Sequence, residues 1–293
     1  MQNSPLSKII LEEREFFVKR DDLIDPCLAG NKYRKLYTLL NTPETTYDTL
    51  ISYGGTQSNA MLALAALCQK KKWNFLYYTK KLSATQKYES AGNYAHALKL
   101  GMQHIEIEND FYKEFIASLR LHVNAKTCFV DQGGAVQEAK EGLEVLAQEI
   151  QEQSRDLHVK AVATPSGTGT TALFLALALP GYRVYTTPCI GDSSYLKEQM
   201  RALAEIPDNL VILEPKKKYH FAKPYKEFYE IYKALHVKGI EFDLLYAPAM
   251  WQALLEQTSE KIIYIHSGGV SGNESMLERY KKKGLVSNRA KIS

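Results

Sequence analysis

Short runs of β-branched and aromatic residues alternate along the chain with longer segments whose apolar residues recur every three or four positions. The strand-like runs are EFFVKR, DTLISYGG, NFLYYTK, HIEIEN, KTCFVDQ, VKAVATPSG, YRVYTT, NLVILEP, FDLLY and KIIYIHSGG. Between them lie helical patterns: SNAMLALAALCQKK, GNYAHALKLG, FYKEFIASLRLH, VQEAKEGLEVLAQEIQEQ, TTALFLALAL, SYLKEQMRALA, KEFYEIYKALHVKG and PAMWQALLEQT. This strand-then-helix rhythm predicts mostly parallel sheets covered by helices on both faces. Ten strands are too many for one compact sheet in 293 residues, so two α/β domains are expected. No repeat, low-complexity segment or Pro/Gly/Ser linker marks a boundary. The polar stretch around 155–160 separates a long amphipathic helix from an apolar strand, and one crossing is expected there.

Composition narrows the classes of function. A net charge of +4, with no concentrated basic face, argues against a nucleic-acid partner. The densest cationic runs, Lys216–Lys218 and the ERYKKKGLVSNRAKIS tail, read as solvated surface. No apolar run approaches the ~20 residues that span a bilayer, so no membrane partner is expected. The N-terminal MQNSPLSKIILEEREFF turns acidic at Glu12 and Glu13 and does not read as a signal peptide. Cys27, Cys68, Cys128 and Cys189 lie too far apart for a metal or redox motif. Free thiols, no metal and a cytoplasmic setting are the expectation.

Open α/β sheets bind ligands beyond the carboxyl ends of their strands, which directs attention to the strand-to-helix turns. In ATPSGTGTTALFLALAL a strand runs through Ser166, Gly167, Thr168, Gly169, Thr170 and Thr171 into an apolar helix. Such a loop converges N–H groups, hydroxyls and the positive end of a helix on one spot, as a phosphate cradle does. It lacks the P-loop lysine and the GxGxxG spacing. In SYGGTQSNAMLALAALC, Gln57, Ser58 and Asn59 start another apolar helix, a pattern that also suits plain N-capping. In IHSGGVSGNESM, His266 suits a packed or capped histidine as well as a catalyst.

The stretch LAGNKYRKLYTLL sets Tyr33, Leu36, Tyr37 and Leu40 on one helical face, yet Lys32, Arg34 and Lys35 crowd the first turn. Cations are disfavoured there by the helix dipole. A lysine near a phosphate cradle has a use that explains it: Schiff-base formation with an aldehyde cofactor, for which pyridoxal 5'-phosphate (PLP) is the natural candidate.

Taken in order, KRDDLIDPCLAGNKYRKL, SYGGTQSNA, TPSGTGTTA, LLYAPAM and IHSGG resemble the 1-aminocyclopropane-1-carboxylate (ACC) deaminase and D-cysteine desulfhydrase family of PLP enzymes. The resemblance covers nearly the whole chain and implies the tryptophan synthase β-like fold, two open twisted sheets with the active site between the domains. The division expected is a discontinuous larger PLP-binding domain, 1–45 and 161–293, and a smaller one, 46–160. The resemblance implies that Lys32 is the Schiff-base lysine and acid–base catalyst, and that Asn59 holds the cofactor's phenolic oxygen. Ser58 would bind the substrate carboxylate or relay a proton, with Gln57 beside it, and residues 166–171 would take the phosphate. Tyr225 and Tyr246 resemble the two tyrosines that face the substrate, though general packing also suits them. A homodimer is the assembly implied.

Departures from the family pattern bear on the substrate. The glutamate that pairs with the pyridine nitrogen in ACC deaminases is Ala247 here, and Ser267 matches the hydroxyl that desulfhydrase-like members use at that nitrogen. A neutral partner favours β-elimination over opening a cyclopropane ring. The usual histidine after QSN is Ala60, and a usual lysine is Ala249. The activity expected is α,β-elimination of D-cysteine or a similar small amino acid to pyruvate, ammonia and the leaving group. ACC deamination and a non-catalytic PLP- or amino-acid-binding role are the alternatives.

Overall fold

The computed structural model describes residues 3–25, 28, 30–56, 58–82, 92–132 and 139–286. Among them are the strands β1 (Leu6–Leu11), β2 (Arg14–Lys19), β3 (Thr49–Tyr53), β4 (Asn74–Lys80), β5 (Met102–Ile107), β6 (Thr127–Phe129), β7 (Ala161–Ala163), β8 (Arg183–Thr186), β9 (Leu210–Ile212) and β10 (Ile262–Ile265). The helices are α1 (Asn31–Lys35), α2 (Tyr37–Asn41), α3 (Asn59–Lys71), α4 (Gly92–Lys99), α5 (Tyr112–Leu121), α6 (Ala139–Gln153), α7 (Thr170–Ala178), α8 (Ser193–Arg201), α9 (Lys226–His236), α10 (Ala247–Gln257) and α11 (Asn273–Lys282). The chain divides into two compact units, Met1–Ile24 with Leu143–Ser293, and Asp25–Gly142.

The first unit is built on a six-stranded sheet in the order β1-β2-β10-β7-β8-β9. Only the β1–β2 pair is antiparallel. Its core includes Phe16, Phe242, Trp251 and Tyr264. Trp251 stacks on Tyr264 at 4.5 Å between ring centroids, and Phe16 meets Trp251 edge-on at 5.0 Å. Aromatic pairs in these geometries add roughly 0.5–1.5 kcal/mol each beyond the area they bury. Lys19, at the end of β2, is fully buried and donates to the Ser4 carbonyl at 2.6 Å. It pairs with Glu149 at 2.7 Å, and so stitches the N-terminal segment to α6.

The second unit carries a wholly parallel four-stranded sheet, β5-β4-β3-β6. The apolar helix α3 buries Met61, Ala63, Leu64, Ala65 and Leu67 in a core shared with Leu50, Phe75 and Tyr77. Two mostly parallel sheets flanked by helices are the α/β architecture that the periodicity predicts.

Four local differences from the sequence reading have physical causes. FDLLY is not a strand: the Asp243 carboxylate accepts from the N–H groups of Leu245 (3.0 Å) and Tyr246 (2.6 Å), and Asn273 Oδ1 takes the Leu244 N–H at 2.8 Å. With its donors satisfied by side chains, the segment turns into α10 instead of joining a ladder. β1 adds a strand that the reading omits; it folds back on β2 through Glu12 (φ 47°) and Glu13 (φ 63°), a two-residue hairpin turn without the usual Asn-Gly signal. The helix read over 33–40 breaks at Leu36 (φ −95°, ψ 12°) into α1 and α2. The tail read as solvated surface, from Glu278 on, begins inside α11, and its Tyr280 is buried.

The unit boundaries fall at 24/25 and 142/143, whereas 45/46 and 160/161 were expected. Leu28 and Leu36 pack into the core of β3, β4 and α3, which carries the Lys32 segment into the four-stranded unit.

That segment is held against the start of α6 by Gly142. A Cβ there would lie 1.9 Å from the Arg34 carbonyl oxygen and 2.6 Å from Tyr37 Cβ. Gly142→Ala should therefore destabilise the protein by about 1–3 kcal/mol, since overpacking outweighs the roughly 1 kcal/mol of helix propensity that alanine gains. Chemical denaturation of both proteins measures it; a variant as stable as the wild type would contradict the close approach.

Candidate functional site

In the four-stranded unit the chemistry begins at Gly30. This residue adopts φ 53° and ψ −114°, a backbone conformation that suits glycine, and it launches the five-residue α1. Lys32, half-buried, is the second residue of that short helix, Arg34 is fully buried and Lys35 nearly so. Burial pushes the Lys32 amine down to about 8 from the ordinary 10.5. Burial, and then repulsion from Lys32, push Lys35 well below its usual range. The cations of this segment are thus withdrawn from solvent, and a neutral amine becomes accessible near physiological pH.

α1 packs on α3, whose first turn carries Ser58 and Asn59. Ser58 is the N-cap of α3 and accepts the Met61 N–H at 3.2 Å. It also lies within hydrogen-bond reach of the Tyr77 phenol, which donates to the Gly55 carbonyl at 3.1 Å. The capping role therefore occupies Ser58 here. Asn59 follows at the first helical position, its side-chain carbonyl accepting from Asn93 Nδ2 at 2.7 Å. Gln57 lies outside the described residues.

The other unit presents a different kind of turn. Ser166 closes the end of β7: its hydroxyl pairs with Thr186 Oγ1 at 2.6 Å, and its carbonyl accepts the Cys189 N–H at 2.8 Å. Gly169 (φ 79°) caps α7 with no side-chain hydrogen bond. A Cβ there would meet Met200 at 2.5 Å, so the position requires glycine on two counts. The first N–H groups of α7 have no intrahelical acceptor by geometry. Thr168 and Thr170 place hydroxyls 3.1 Å apart beside them. The buried Thr171 follows in the first turn.

Tyr246 stands next to this loop: a Cβ on Gly167 would lie 3.6 Å from its ring and 3.8 Å from its hydroxyl. The Phe221 ring packs on Tyr246 at 5.1 Å. Burial raises the Tyr246 phenol, so it stays protonated and able to donate. Asp243 positions the tyrosine by accepting its N–H, and burial lifts that carboxyl to about 6. Tyr225 does not join this group through its ring. It packs edge-on to Tyr219 at 4.8 Å, and its hydroxyl accepts the His220 N–H at 2.9 Å.

Ser267 is half-buried after β10, beside a histidine with a defined proton. His266 Nδ1 accepts the Gly268 N–H at 3.1 Å, which leaves Nε2–H to donate to the Glu241 carbonyl at 2.8 Å. The neutral ring stacks on Phe242 at 4.3 Å. His266 is therefore a loop-shaping residue that sets the backbone on which Ser267 rides.

Sequence reasoning missed Asn93 and Gly142, because each acts on a partner distant in the chain, and Asp243, whose partners are the nearby N–H groups of Leu245 and Tyr246. Only the Gly92-Asn93 start of α4 offered a local signal. Among the described residues no group of three or more His, Cys, Asp or Glu side chains could hold a metal ion. None of the described helices is long and apolar enough to cross a membrane. Cys68, Cys128 and Cys189 are free thiols, while Cys27 lies outside the described residues.

This fold is the one shared by PLP enzymes of fold type II. A solved structure titled as that of the ACC deaminase homologue superimposes with a TM-score of 0.71, covering 95% of this chain and 94% of that one at 22% identity. No family model matches the chain. Among curated relatives, the bifunctional D-cysteine desulfhydrase/1-aminocyclopropane-1-carboxylate deaminase of Arabidopsis thaliana, described as mitochondrial, is 25% identical over 88% of this chain and 73% of its own length. The D-cysteine desulfhydrase of Serratia proteamaculans is 30% identical over 57% of this chain and 53% of its own. The resemblance carried by the motifs is thus borne out by homologues that bear those two names.

Two pH dependences follow. Reductive labelling of Lys32 by PLP and borohydride should rise with a midpoint near pH 8. At pH 7 it should run about 300-fold faster than for a lysine of ordinary pKa, the factor given by the 2.5-unit difference. A midpoint near 10.5 would contradict the buried amine. Burial lowers the His266 pKa below 6.5, so the folded protein resists a proton that the unfolded chain takes up. Its contribution to stability is complete above pH 6.5 and declines as pH falls below it. Denaturation curves of wild type and His266→Gln between pH 5 and 7.5 should show this slope in the wild type alone.

Proposed function

We propose that the protein is a PLP-dependent lyase that eliminates the β-substituent of D-cysteine or a similar small amino acid, releasing ammonia and pyruvate. The observation that carries this reading is the Lys32 amine, lowered to about 8 by burial at the start of a glycine-led helix. The donor set fits the cofactor. Lys32 offers a neutral amine for its aldehyde; the glycine-capped start of α7, with Thr168 and Thr170, offers N–H and hydroxyl donors for its phosphate. Asn59 offers an amide for its phenolic oxygen, and Ser267 a hydroxyl for its ring nitrogen. When bound, PLP supplies an electron sink conjugated to the substrate Cα.

The chain's own residues do the rest. Lys32 Nζ, whose neutral fraction at pH 7 rises to about a tenth with a pKa of about 8, removes the α-proton and returns it where the product needs it. The protonated Tyr246 phenol, held by Asp243 and packed under Phe221, donates to the substrate. Ala247 is buried at the first position of α10, so that position carries no carboxylate to pair with a charged ring nitrogen. A weaker electron sink suffices when the electrons at Cα pass directly into a Cα=Cβ bond as sulfide departs with the Cβ–S pair. It serves poorly for opening a cyclopropane ring, which is why elimination is placed ahead of ACC deamination.

The test is a direct competition. Ammonia and pyruvate from D-cysteine should exceed ammonia and 2-oxobutanoate from ACC. Lys32→Ala should lower turnover by ~10²–10⁴ and abolish covalent capture of PLP. Faster release from ACC would overturn the role given to Ala247. Capture of PLP with no product from a panel of amino acids would leave a binding protein.

A further inference from the structure

We propose that Asn93, at the start of α4, is the positioning residue that makes Asn59 a hydrogen-bond donor toward the cofactor's phenolic oxygen; this rests on the PLP reading above. An asparagine amide presents an acceptor on one side and donors on the other, and a half-turn about its terminal bond exchanges them. Left unconstrained at the first position of α3, Asn59 could offer either face. The structure constrains it. Asn93 Nδ2 donates to Asn59 Oδ1 at 2.7 Å, which occupies the carbonyl and directs the Asn59 amide N–H groups elsewhere. Asn93 is itself 5% exposed, and α4 is packed against α3, so the contact is shielded from competing water. The group that docks at Asn59 must then be an acceptor, and a deprotonated phenolic oxygen is one.

The energetic consequence has a sign. A donor bonded to an oxygen stabilises its deprotonated form and holds its pKa down. Asn93→Asp reverses the contact: a carboxylate accepts and cannot donate, so the Asn59 amide turns its N–H toward residue 93 and its carbonyl toward the cofactor. Asn93→Ala deletes the constraint without adding charge and acts in the same direction, more weakly.

The experiment uses the full chain loaded with PLP and reads the pH midpoint of the visible cofactor band, together with the PLP dissociation constant. Thermal unfolding serves as the control for folding. Asn93→Asp should raise the midpoint by about one pH unit and weaken PLP binding about tenfold, the scale of one charge-assisted hydrogen bond. Asn59→Ala should give a similar shift, and adding Asn93→Asp to it should move the midpoint no further. A merely structural role for Asn93 would lower the unfolding temperature and leave the midpoint in place. An unchanged midpoint in both Asn93 variants, or full additivity with Asn59→Ala, overturns the proposal. A wild type that shows no visible band with PLP overturns the PLP reading and this inference together, and it is recognised by failing before any variant is made.

Discussion

The desolvation of one amine governs the local design of the four-stranded unit. A lysine in water is charged at any physiological pH and is no nucleophile. Taking Lys32 out of water removes most of that handicap, at a cost that is present in full below about pH 8 and relieved as pH rises toward 10.5. Several otherwise odd features become necessary once the amine must stay there. Gly30 bends the chain abruptly into α1, so the lysine begins a helix only five residues long. Arg34 and Lys35 are drawn inward with it, and Lys35 adds repulsion to desolvation. Gly142 then presses on the Arg34 carbonyl with no room for a methyl group. Buried cations gathered in one short segment are the pattern expected of a functional site and support the role proposed for Lys32.

The two apolar helices that follow strand turns, α3 and α7, share a local grammar and differ in one respect. α3 closes its own N-terminus: Ser58 takes the Met61 N–H, and its hydroxyl meets the Tyr77 phenol. α7 begins at a glycine that offers no side chain, so the donors of its first turn are left for an external acceptor. The helix dipole is similar at both N-termini, but the second has no side-chain cap, which is the feature the proposed phosphate role uses. Asn59 fits the contrast, since its useful group is a side-chain amide aimed by a neighbour, with the helix end already closed.

The alternation of strand and helix periods was enough to read an α/β chain with two mostly parallel sheets, because buried parallel strands are continuous apolar runs that a composition scan detects. It failed where backbone donors found side chains. FDLLY is as apolar as a strand, yet Asp243 and Asn273 satisfy its N–H groups. β1 escaped because its hairpin turn is made by Glu12 and Glu13 in left-handed conformation, where glycine or asparagine would have announced it. Lys32 was legible because three cations at a helix start contradict electrostatics and call for an explanation. Asn93 was not, since a buried amide becomes meaningful only when its partner, 34 positions earlier, is known.

The alanines at 60, 247 and 249 sharpen the choice between an enzyme and a relic. Each is buried, so each methyl packs into the fold and none opens a solvent-filled gap. They withdraw particular functional groups and leave the scaffold intact. A protein that binds its ligand without a covalent bond to Lys32 gains nothing from keeping Lys32 half-buried and Lys35 almost fully so. A methionine at either position would fill similar volume without the desolvation cost, and stabilising exchanges of that kind are readily available to natural proteins. Retaining the depressed amine beside a directed Asn59, in a chain that also keeps the uncapped start of α7, is energetically sensible when the amine moves protons.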